Sequence, residues 1–276
     1  MQQKISKNSY HARLRRQYRD AKGITSLSPA RLKQKYTSFN QEVIHLYGIH
    51  SVNAALQNPK RILKSLHITQ NALKRLNIIE SDLPCPVKLC LPKQLDALVG
   101  KDAVHQGIVL ETEPLKPRHL TELTNTDLVI VMDQITDPHN VGAIMRSAVA
   151  FKAGALITTN RHSPQESGVL AKAASGALEL IDYITVRNLS ETLRELHKIG
   201  FTSFGLDSEC TSPLEKALTG KKIALVLGAE GKGLRQKTRE TVCTLACLDM
   251  PGEIKSLNVS NAATISLYAT HKYLRS

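Results

Sequence analysis

The C-terminal half of the chain alternates short apolar strands with helices, and this alternation constrains the fold more than any other feature. Two of the predicted strands, at 128–132 and 223–227, contain only Leu, Val, Ile, Met and Ala. Runs without polar positions are typical of strands that are buried on both faces of a sheet. The segment 189–199 places its leucines on one helical face. The pattern therefore predicts an α/β fold with a largely parallel sheet and helices on both sides.

Six strands and five helices are predicted in this half. The strands are predicted at 128–132, 155–159, 183–187, 201–206, 223–227 and 245–249. The helices are predicted at 141–151, 167–180, 189–199, 233–242 and 258–273. Ligands of such folds bind beyond the carboxyl ends of the strands, so we expect the functional residues in the loops that follow the strands.

A smaller α/β pattern precedes this half. Its strands are predicted at 65–69, 87–91 and 107–110, and its helices at 52–56, 71–79 and 92–99. A polar stretch with Pro114 and Pro117 follows and is typical of a linker. The predicted division is a basic arm at 1–40, a small domain at 41–113, a linker at 114–126 and a large domain at 127–276.

The charge of the chain favours a polyanionic partner. The net charge is +13, and residues 1–40 carry +9 of it, because they hold ten Lys or Arg and a single acid, Asp20. We predict that this segment is an RNA-binding arm, disordered until it binds. Its candidate RNA-binding residues are Arg13, Arg15, Arg16 and Arg19. Two alternatives remain open: an organellar transit peptide, and a charge that serves only solubility.

Several classes of protein are disfavoured by composition. The five cysteines are odd in number and match neither a CxxC pair nor a zinc site, so we expect reduced, mostly buried thiols and no metal. No apolar run approaches the length of a membrane span, and we expect a cytoplasmic protein. With no Trp and 4% aromatic residues, base stacking is not expected to be the main mode of RNA binding.

Three loops after predicted strands carry the polar residues that suggest chemistry. In the first, Asn140 is placed to cap a helix beginning at Val141, and Arg146 would project from the second turn of that helix. The second is the glycine-rich segment 228–233, whose spacing fits neither a dinucleotide-binding nor a Walker loop. The third runs through a Pro-Gly turn into the last helix, where Ser256 and Asn258 stand near the helix N-terminus.

Taken in order, these loops resemble the three signature motifs of the SpoU (TrmH-like) family of RNA 2′-O-ribose methyltransferases. The family pattern is N-x-G-x-I-x-R, then G-x-E-G-x-G, then a hydrophobic-P-M-x-G turn that leads into S-L-N-V-S-x-A. The matching residues are Asn140, Gly142, Ile144, Arg146, Gly228, Glu230, Gly231, Gly233, Met250, Gly252, Ser256, Leu257, Asn258, Val259, Ser260 and Ala262. The resemblance covers 127–273. One departure is Asp249, which stands where the family usually has Pro, while Pro251 follows the Met instead.

A second resemblance covers the small domain. The segments Tyr47–Val52 and His105–Val109 are similar to the ends of an L-thirty-e-like RNA-binding domain that a subset of the family carries. That subset includes bacterial enzymes that methylate a guanosine ribose in large-subunit ribosomal RNA. The resemblance therefore implies ribosomal RNA as the substrate.

The resemblance also implies a fold, a cofactor and a site. The fold would be a trefoil-knotted SPOUT methyltransferase domain that forms homodimers, with S-adenosylmethionine bound in the knot. The implied cofactor-binding residues are Gly228, Gly231, Gly233, Leu248, Met250 and Leu257. The implied catalytic residues are Asn140, Arg146, Glu230, Ser256 and Asn258. Proposals for the family make the arginine a general base, but a guanidinium is a poor proton acceptor. We therefore favour a role in fixing the adjacent RNA phosphate and in lowering the pKa of the 2′-hydroxyl electrostatically.

Two rival functions stay open at this point. The first is a ribose methyltransferase that acts on transfer RNA, which the additional small domain disfavours. The second is a non-catalytic RNA-binding factor of ribosome assembly, which the intact Asn140, Arg146, Glu230 and Asn258 disfavour.

Overall fold

The structure is a computed structural model that describes residues 43–76, 83–123, 126–254 and 256–276. Val43–Ser276 belong to one unit, which contains two β-sheets. The predicted arm, with Arg13, Arg15, Arg16 and Arg19, lies outside the described residues, and the domain boundaries given above stay predictions.

The small sheet has four strands in the order β1-β4-β2-β3. β4 pairs antiparallel with both β1 and β2, whereas β3 is parallel to β2. The strands are β1 (Ile44–Tyr47), β2 (Leu63–Ile68), β3 (Val87–Leu89) and β4 (Ile108–Thr112). The helices of this part are α1 (Ile49–Gln57), α2 (Gln70–Leu76) and α3 (Pro92–Val99).

The large sheet has six strands in the order β10-β8-β9-β5-β6-β7, and every pairing in it is parallel. The prediction of a largely parallel sheet is therefore confirmed. Its strands are β5 (Leu128–Asp133), β6 (Ala155–Thr159), β7 (Asp182–Val186), β8 (Thr202–Leu206), β9 (Ile223–Gly228) and β10 (Thr244–Ala246). Its helices are α4 (Pro138–Ala150), α5 (Gly168–Ala174), α6 (Leu189–Lys198), α7 (Leu214–Ala217), α8 (Gln236–Thr241) and α9 (Val259–Arg275).

The central strand β5 explains why its sequence lacks polar alternation. All six of its residues are buried. Ile130 and Met132 pack in one core with Ile144 of α4, while Val129 and Val131 pack in a second core with the α6 leucines on the opposite face. Both faces are covered by helices, as parallel sheets require.

The structure corrects several predicted elements. The helix predicted at 167–180 stops at Ala174, because Ser175 (φ 52°) and Gly176 (φ 94°) take left-handed conformations before a 3-10 turn at Ala177–Glu179. The helix predicted at 233–242 begins only at Gln236, since Gly233 has φ 62° and Arg235 is extended. Strand β1 and the four-residue helix α7 were not predicted. None of the described helices is long and apolar enough to cross a membrane.

Candidate active site

The three loops singled out in the sequence meet at one edge of the large sheet. β5 and β9 are parallel neighbours whose last residues, Asp133 and Gly228, are paired. The loops that leave them therefore start side by side. The third loop follows β10 and leads into α9, which packs against α4 and β9. The order of the strands thus brings residues about 90 to 120 positions apart into contact.

A single carboxylate oxygen joins the three loops. Glu230 Oε1 accepts hydrogen bonds from Asn140 Nδ2 (3.2 Å), from Asn258 Nδ2 (2.9 Å) and from the backbone N–H of Val259 (3.2 Å). Asn258 Nδ2 also donates to Asn140 Oδ1 (3.0 Å). Each loop contributes one side chain to this cluster, so the cluster fixes the loops relative to one another.

Asn140 is not the cap of its helix, contrary to the prediction. Helix α4 begins at Pro138, and its N-cap is Asp137, whose carboxylate accepts the N–H of His139 (3.0 Å). A proline at the first helical position suits this earlier start. The side chain of Asn140 is consequently available for Glu230 and Asn258. For the same reason Arg146 lies in the third turn of α4, not in the second.

Asn258 serves both the helix and the cluster. Its Oδ1 accepts the backbone N–H of Ser260 (2.9 Å) and caps α9, while its Nδ2 donates to the cluster. An amide carries both donor and acceptor, and the two functions here use opposite ends of the group. Ser256 takes no part in this cap and is exposed.

The glycine-rich loop folds back tightly on itself. The backbone N–H of Ala229 donates to the carbonyl of Gly233 (3.2 Å), and the N–H of Gly233 donates to the carbonyl of Ala229 (2.8 Å). A Cβ at Gly228 would overlap the backbone of Gly233, and Gly231 and Gly233 have φ of 75° and 62°. Glycine at these positions is therefore required by close approach and by left-handed backbone conformation.

Buried Asp133 holds the far end of this loop. Its Oδ1 accepts Arg235 Nε (2.6 Å) and its Oδ2 accepts the backbone N–H of Arg235 (3.1 Å). A fully buried carboxylate of this kind requires a charged, hydrogen-bonded partner. The loop between Gly228 and Arg235 is thus anchored to β5 at its C-terminal side.

A cavity of about 360 Å³ opens beside the cluster, a volume typical of small-molecule sites. Buried Leu227, Leu234 and Val259 give it apolar walls, and Glu230 and Lys232 contribute charge. The structure brings all six residues predicted to bind the cofactor to its lining, namely Gly228, Gly231, Gly233, Leu248, Met250 and Leu257. Glu230 and Ser256 also line it.

Three predicted catalytic residues, Asn140, Arg146 and Asn258, and the departure Asp249 lie outside the cavity lining. Arg146 is exposed on α4, about 9 Å along the helix axis from Asn140, and it forms no ion pair within the described part of the chain. Asn140 and Asn258 each donate a hydrogen bond to Glu230, which does line the cavity. Asp249 is exposed and does not line the cavity, whereas its neighbours Leu248 and Met250 do.

The sequence analysis missed one wall of the cavity. This wall follows β8 and includes Asp207, which is paired with Arg239 of α8. Ligands of parallel sheets bind in the loops after the strands, and the strand at 201–206 was predicted. The loop after that strand could therefore have been identified as part of the site. The missed lining residues with polar side chains are Asp207, Ser208, Glu209, Arg239 and Cys247.

The cysteines differ in part from the prediction. All five are free, as expected, but none is fully buried, and Cys243 is exposed. Burial raises the pKa of the Cys247 thiol, which lines the cavity, and the neighbouring thiol of Cys210 raises it further. Among the described residues there is no group of three or more His, Cys, Asp or Glu side chains arranged to hold a metal ion.

Comparison with known proteins supplies two family matches. The sequence model of the SpoU rRNA Methylase family matches residues 127–268. The model described as RNA 2′-O ribose methyltransferase substrate binding matches residues 45–118. The first match contains all three loops of the candidate site, and the second contains all of the small sheet except Ile44.

Full-length relatives and solved structures agree with these matches. A protein of Ralstonia nicotianae named 23S rRNA (guanosine-2′-O-)-methyltransferase RlmB is 38% identical over 81% of this chain and 93% of its own length. The protein of the same name from Pseudomonas putida is 36% identical over 81% of this chain and 94% of its own.

Two solved structures show the same fold at 20% identity. The SpoU methyltransferase AviRb of Streptomyces viridochromogenes, in complex with AdoMet, has a TM-score of 0.71 and covers 85% of this chain and 91% of its own. An AdoMet-bound rRNA methyltransferase of Sinorhizobium meliloti has a TM-score of 0.72, and the match covers 92% of this chain and 98% of the other. The resemblance stated from the three loops is confirmed: the chain belongs to the SpoU rRNA methylase family.

Proposed function

We propose that this chain transfers a methyl group from S-adenosylmethionine to the ribose 2′-hydroxyl of a guanosine in large-subunit ribosomal RNA. The observation that carries the proposal is the convergence of Asn140, Glu230 and Asn258 beside a cavity of small-molecule size. The relatives named 23S rRNA guanosine methyltransferases, which align with both parts of this chain, support the choice of substrate.

The residues of the cavity fit the cofactor. Apolar walls suit the adenosine, and the Glu230 carboxylate is electrostatically compatible with a sulfonium. The backbone of Gly233 packs where a Cβ of Gly228 would lie, and this tight packing shapes the glycine-rich side of the cavity. S-adenosylmethionine supplies an activated methyl group when bound, and Gly228, Gly231, Gly233, Leu248, Met250 and Leu257 would hold it.

The protein has two tasks in an in-line displacement of this kind. It aligns the 2′-hydroxyl with the methyl carbon, so that the new C–O bond forms as the C–S bond breaks. It also stabilises the negative charge that develops on the oxygen as its proton passes to solvent. Arg146 is our candidate for the second task, because its guanidinium contacts no acidic partner among the described residues and matches phosphate geometry.

Asn140, Glu230 and Asn258 would act by holding the loops in place. Their amide and carboxylate groups are engaged in hydrogen bonds with one another, and the capping bond fixes Asn258 further. Ser256 has an exposed hydroxyl at the cavity, which suits a contact with ribose. The first three are thus proposed as positioning residues and Ser256 as a substrate contact.

The path of the chain supports a trefoil knot. β9 is inserted between β5 and β8, both of which precede it in the sequence. After β10 the chain returns to the centre of the sheet, where α9 packs against β9 and α4. We propose that this return threads the C-terminal segment through an earlier loop, which is a rare exception among folds.

We also propose a homodimer with the site near its interface. Exposed apolar side chains precede and line α9: Ile254, Leu257, Ile265 and Tyr268 are 77%, 40%, 44% and 57% exposed. A run of such side chains on one helix and its entry loop is typical of an association surface. The small sheet and the basic arm would then bind RNA, in the cytoplasm.

The experiment that tests the function offers two RNAs to the full chain. Unmodified large-subunit ribosomal RNA and unmodified transfer RNA are incubated separately with methyl-labelled S-adenosylmethionine. Label in ribosomal RNA alone supports the proposal. Label in transfer RNA alone keeps the chemistry and overturns the substrate, while binding of both RNAs without transfer favours an assembly factor.

A further inference from the structure

A buried arginine joins the two sheets of the described chain. Arg61 lies between α1 and β2 of the small sheet, and its side chain is 0% exposed. Its guanidinium pairs with Glu166 and with Glu179, which belong to the large-sheet part of the chain. Glu166 stands two residues before α5, and Glu179 is the last residue of the 3-10 turn that follows it. Arg61 therefore holds the chain on both sides of this helix.

Each of the three guanidinium nitrogens donates a hydrogen bond. Besides its two ion pairs, Arg61 Nε donates to Glu179 Oε2 (3.2 Å) and Nη1 donates to the carbonyl of Glu113 (3.1 Å). Asn58 Nδ2 donates to Glu179 Oε2 (2.6 Å), and the backbone N–H of Leu115 donates to Glu166 Oε2 (2.8 Å). A planar fork satisfied on each side fixes orientation as well as distance.

The charges make this arrangement hard to rearrange. Two carboxylates share one guanidinium, and the Glu179 side chain is only 3% exposed. Burial raises the pKa of the Glu166 carboxyl, and Arg61 acts in the opposite direction. If the sheets shifted apart, these charges would lose their partners while still shielded from water, which is strongly unfavourable.

Residues of the small-sheet part also contact helix α5 directly. Ser51 Oγ donates to the carbonyl of Ala171 (2.8 Å), and Lys172 Nζ donates to Gln106 Oε1 (2.7 Å). A Cβ at Gly168 would overlap the carbonyl oxygen of His45 in β1. The small-sheet part is thus seated against the start and the middle of α5.

Helix α5 transmits this seating to the candidate active site. α4 packs directly on α5, so closely that a Cβ at Gly142 would overlap the backbone of Ala173 and Ala174. Gly142 lies two residues beyond Asn140 and in the same helix as Arg146. The path from Arg61 to the site therefore consists of one buried ion cluster and two helices in backbone contact.

We propose that Arg61 is a positioning residue for the RNA. It holds the small sheet in one orientation against α5, so that an RNA bound on that sheet presents its target ribose at Asn140 and Arg146. The inference rests on the proposed function. Loss of Arg61 leaves the RNA and cofactor surfaces intact but loosens their relative placement, and alignment of reactants contributes a large part of the rate of such transfers.

The test separates rate from binding. Arg61→Gln, the milder Glu166→Gln and the control Arg118→Gln are compared with the unaltered chain. Arg118 pairs with Asp182 of β7 (2.8 Å) and so tests loss of an arginine whose ion pair is made with the large sheet. We measure the single-turnover rate of methyl transfer to saturating ribosomal RNA, and the dissociation constants of the RNA and of S-adenosylmethionine.

We expect Arg61→Gln to lower the transfer rate at least about tenfold and Glu166→Gln about threefold, with both dissociation constants within about twofold. Arg118→Gln should leave all three quantities within about twofold. Transfer by Arg61→Gln at the unaltered rate overturns the inference, and so does a parallel loss of cofactor affinity, which would mean that Arg61 only maintains the fold.

Two further outcomes remain decisive. If Arg61→Gln does not fold, Glu166→Gln alone decides, through the same separation of rate from affinity. If the unaltered chain transfers no methyl group to the RNA, the proposed function fails, and the inference about Arg61 fails with it. Loss of methyl transfer in the variants alone is therefore distinguishable from absence of transfer by the unaltered chain.

Discussion

At the scale of single residues, the candidate site depends on one carboxylate oxygen. Glu230 Oε1 accepts from Asn140, Asn258 and the Val259 backbone, and each donor belongs to a different loop or to the start of α9. The family motifs named these residues individually but not their contacts, because a contact over 90 or 118 positions is set by strand order. The sequence thus predicts which residues matter, and the fold shows how they act together.

Replacing Arg146 tests its role in charge stabilisation. Arg146→Ala should lower the rate of methyl transfer about 100-fold, since loss of one group that stabilises developing negative charge has effects of this order. Cofactor affinity should stay unchanged, because Arg146 does not line the cavity. Single-turnover transfer and calorimetric binding measure the two quantities.

The matched control for this change is Arg161→Ala. Arg161 is also exposed and lies in the loop after β6, outside the cavity. The Arg161→Ala variant should transfer the methyl group at the rate of the unaltered chain. Equal losses in both variants would indicate a general effect of positive charge on RNA binding, contrary to a specific role for Arg146.

Adding one methyl group at Gly228 tests the cofactor site. A Cβ there overlaps the backbone of Gly233, so Gly228→Ala should open the loop and weaken S-adenosylmethionine binding at least about tenfold, or about 1.4 kcal/mol. Titration calorimetry measures the affinity. Gly200→Ala is the control, because its φ is 93° but its Cβ would meet nothing within 4 Å. This control should lose some stability and keep its affinity; unchanged affinity in Gly228→Ala would contradict the site.

At the scale of the secondary-structure element, helix α4 sets the geometry of the site through its first turn. Asp137→Ala removes the cap and should cost about 1 kcal/mol of unfolding free energy. It should also slow methyl transfer, because the frayed turn contains Asn140. Asn188→Ala removes a comparable cap from α6 on the opposite face of the sheet, and should cost similar stability without slowing transfer. Denaturant unfolding and transfer assays distinguish the two; equal transfer rates would mean that the first turn of α4 does not position Asn140.

The strands of the large sheet were predictable because burial on both faces leaves uninterrupted apolar runs, as in β5 and β9. The break at Ser175 was not predictable in the same way, because residues 167–180 are rich in helix formers. The space at Gly176 is set by long-range packing, since a Cβ there would lie 3.1 Å from Ala54 of α1. β1 is short and mixes polar with apolar residues, and its pairing with β4 is a long-range fact. The Arg61 cluster was invisible for the same reason, since its ion pairs span 105 and 118 positions.

At the scale of the whole molecule, the proposed function assigns RNA recognition to the small sheet and methyl transfer to the large sheet. The large sheet holds the cavity and the small sheet is seated on α5, while the net charge of +13 attracts a polyanion whatever its sequence. Specificity then requires that the RNA be held in one register against the cavity. A seated small sheet provides that register more directly than a loose tether would.

The measurement that tests this account most directly identifies the methylated nucleoside. Unmodified large-subunit ribosomal RNA is treated with the full chain and S-adenosylmethionine, digested to nucleosides and analysed by mass spectrometry. We predict new 2′-O-methylguanosine at a single position, and no such product from the Arg146→Ala variant after the same incubation time. A methyl group on a base, or no methylated nucleoside while both RNA and cofactor are bound, would contradict it.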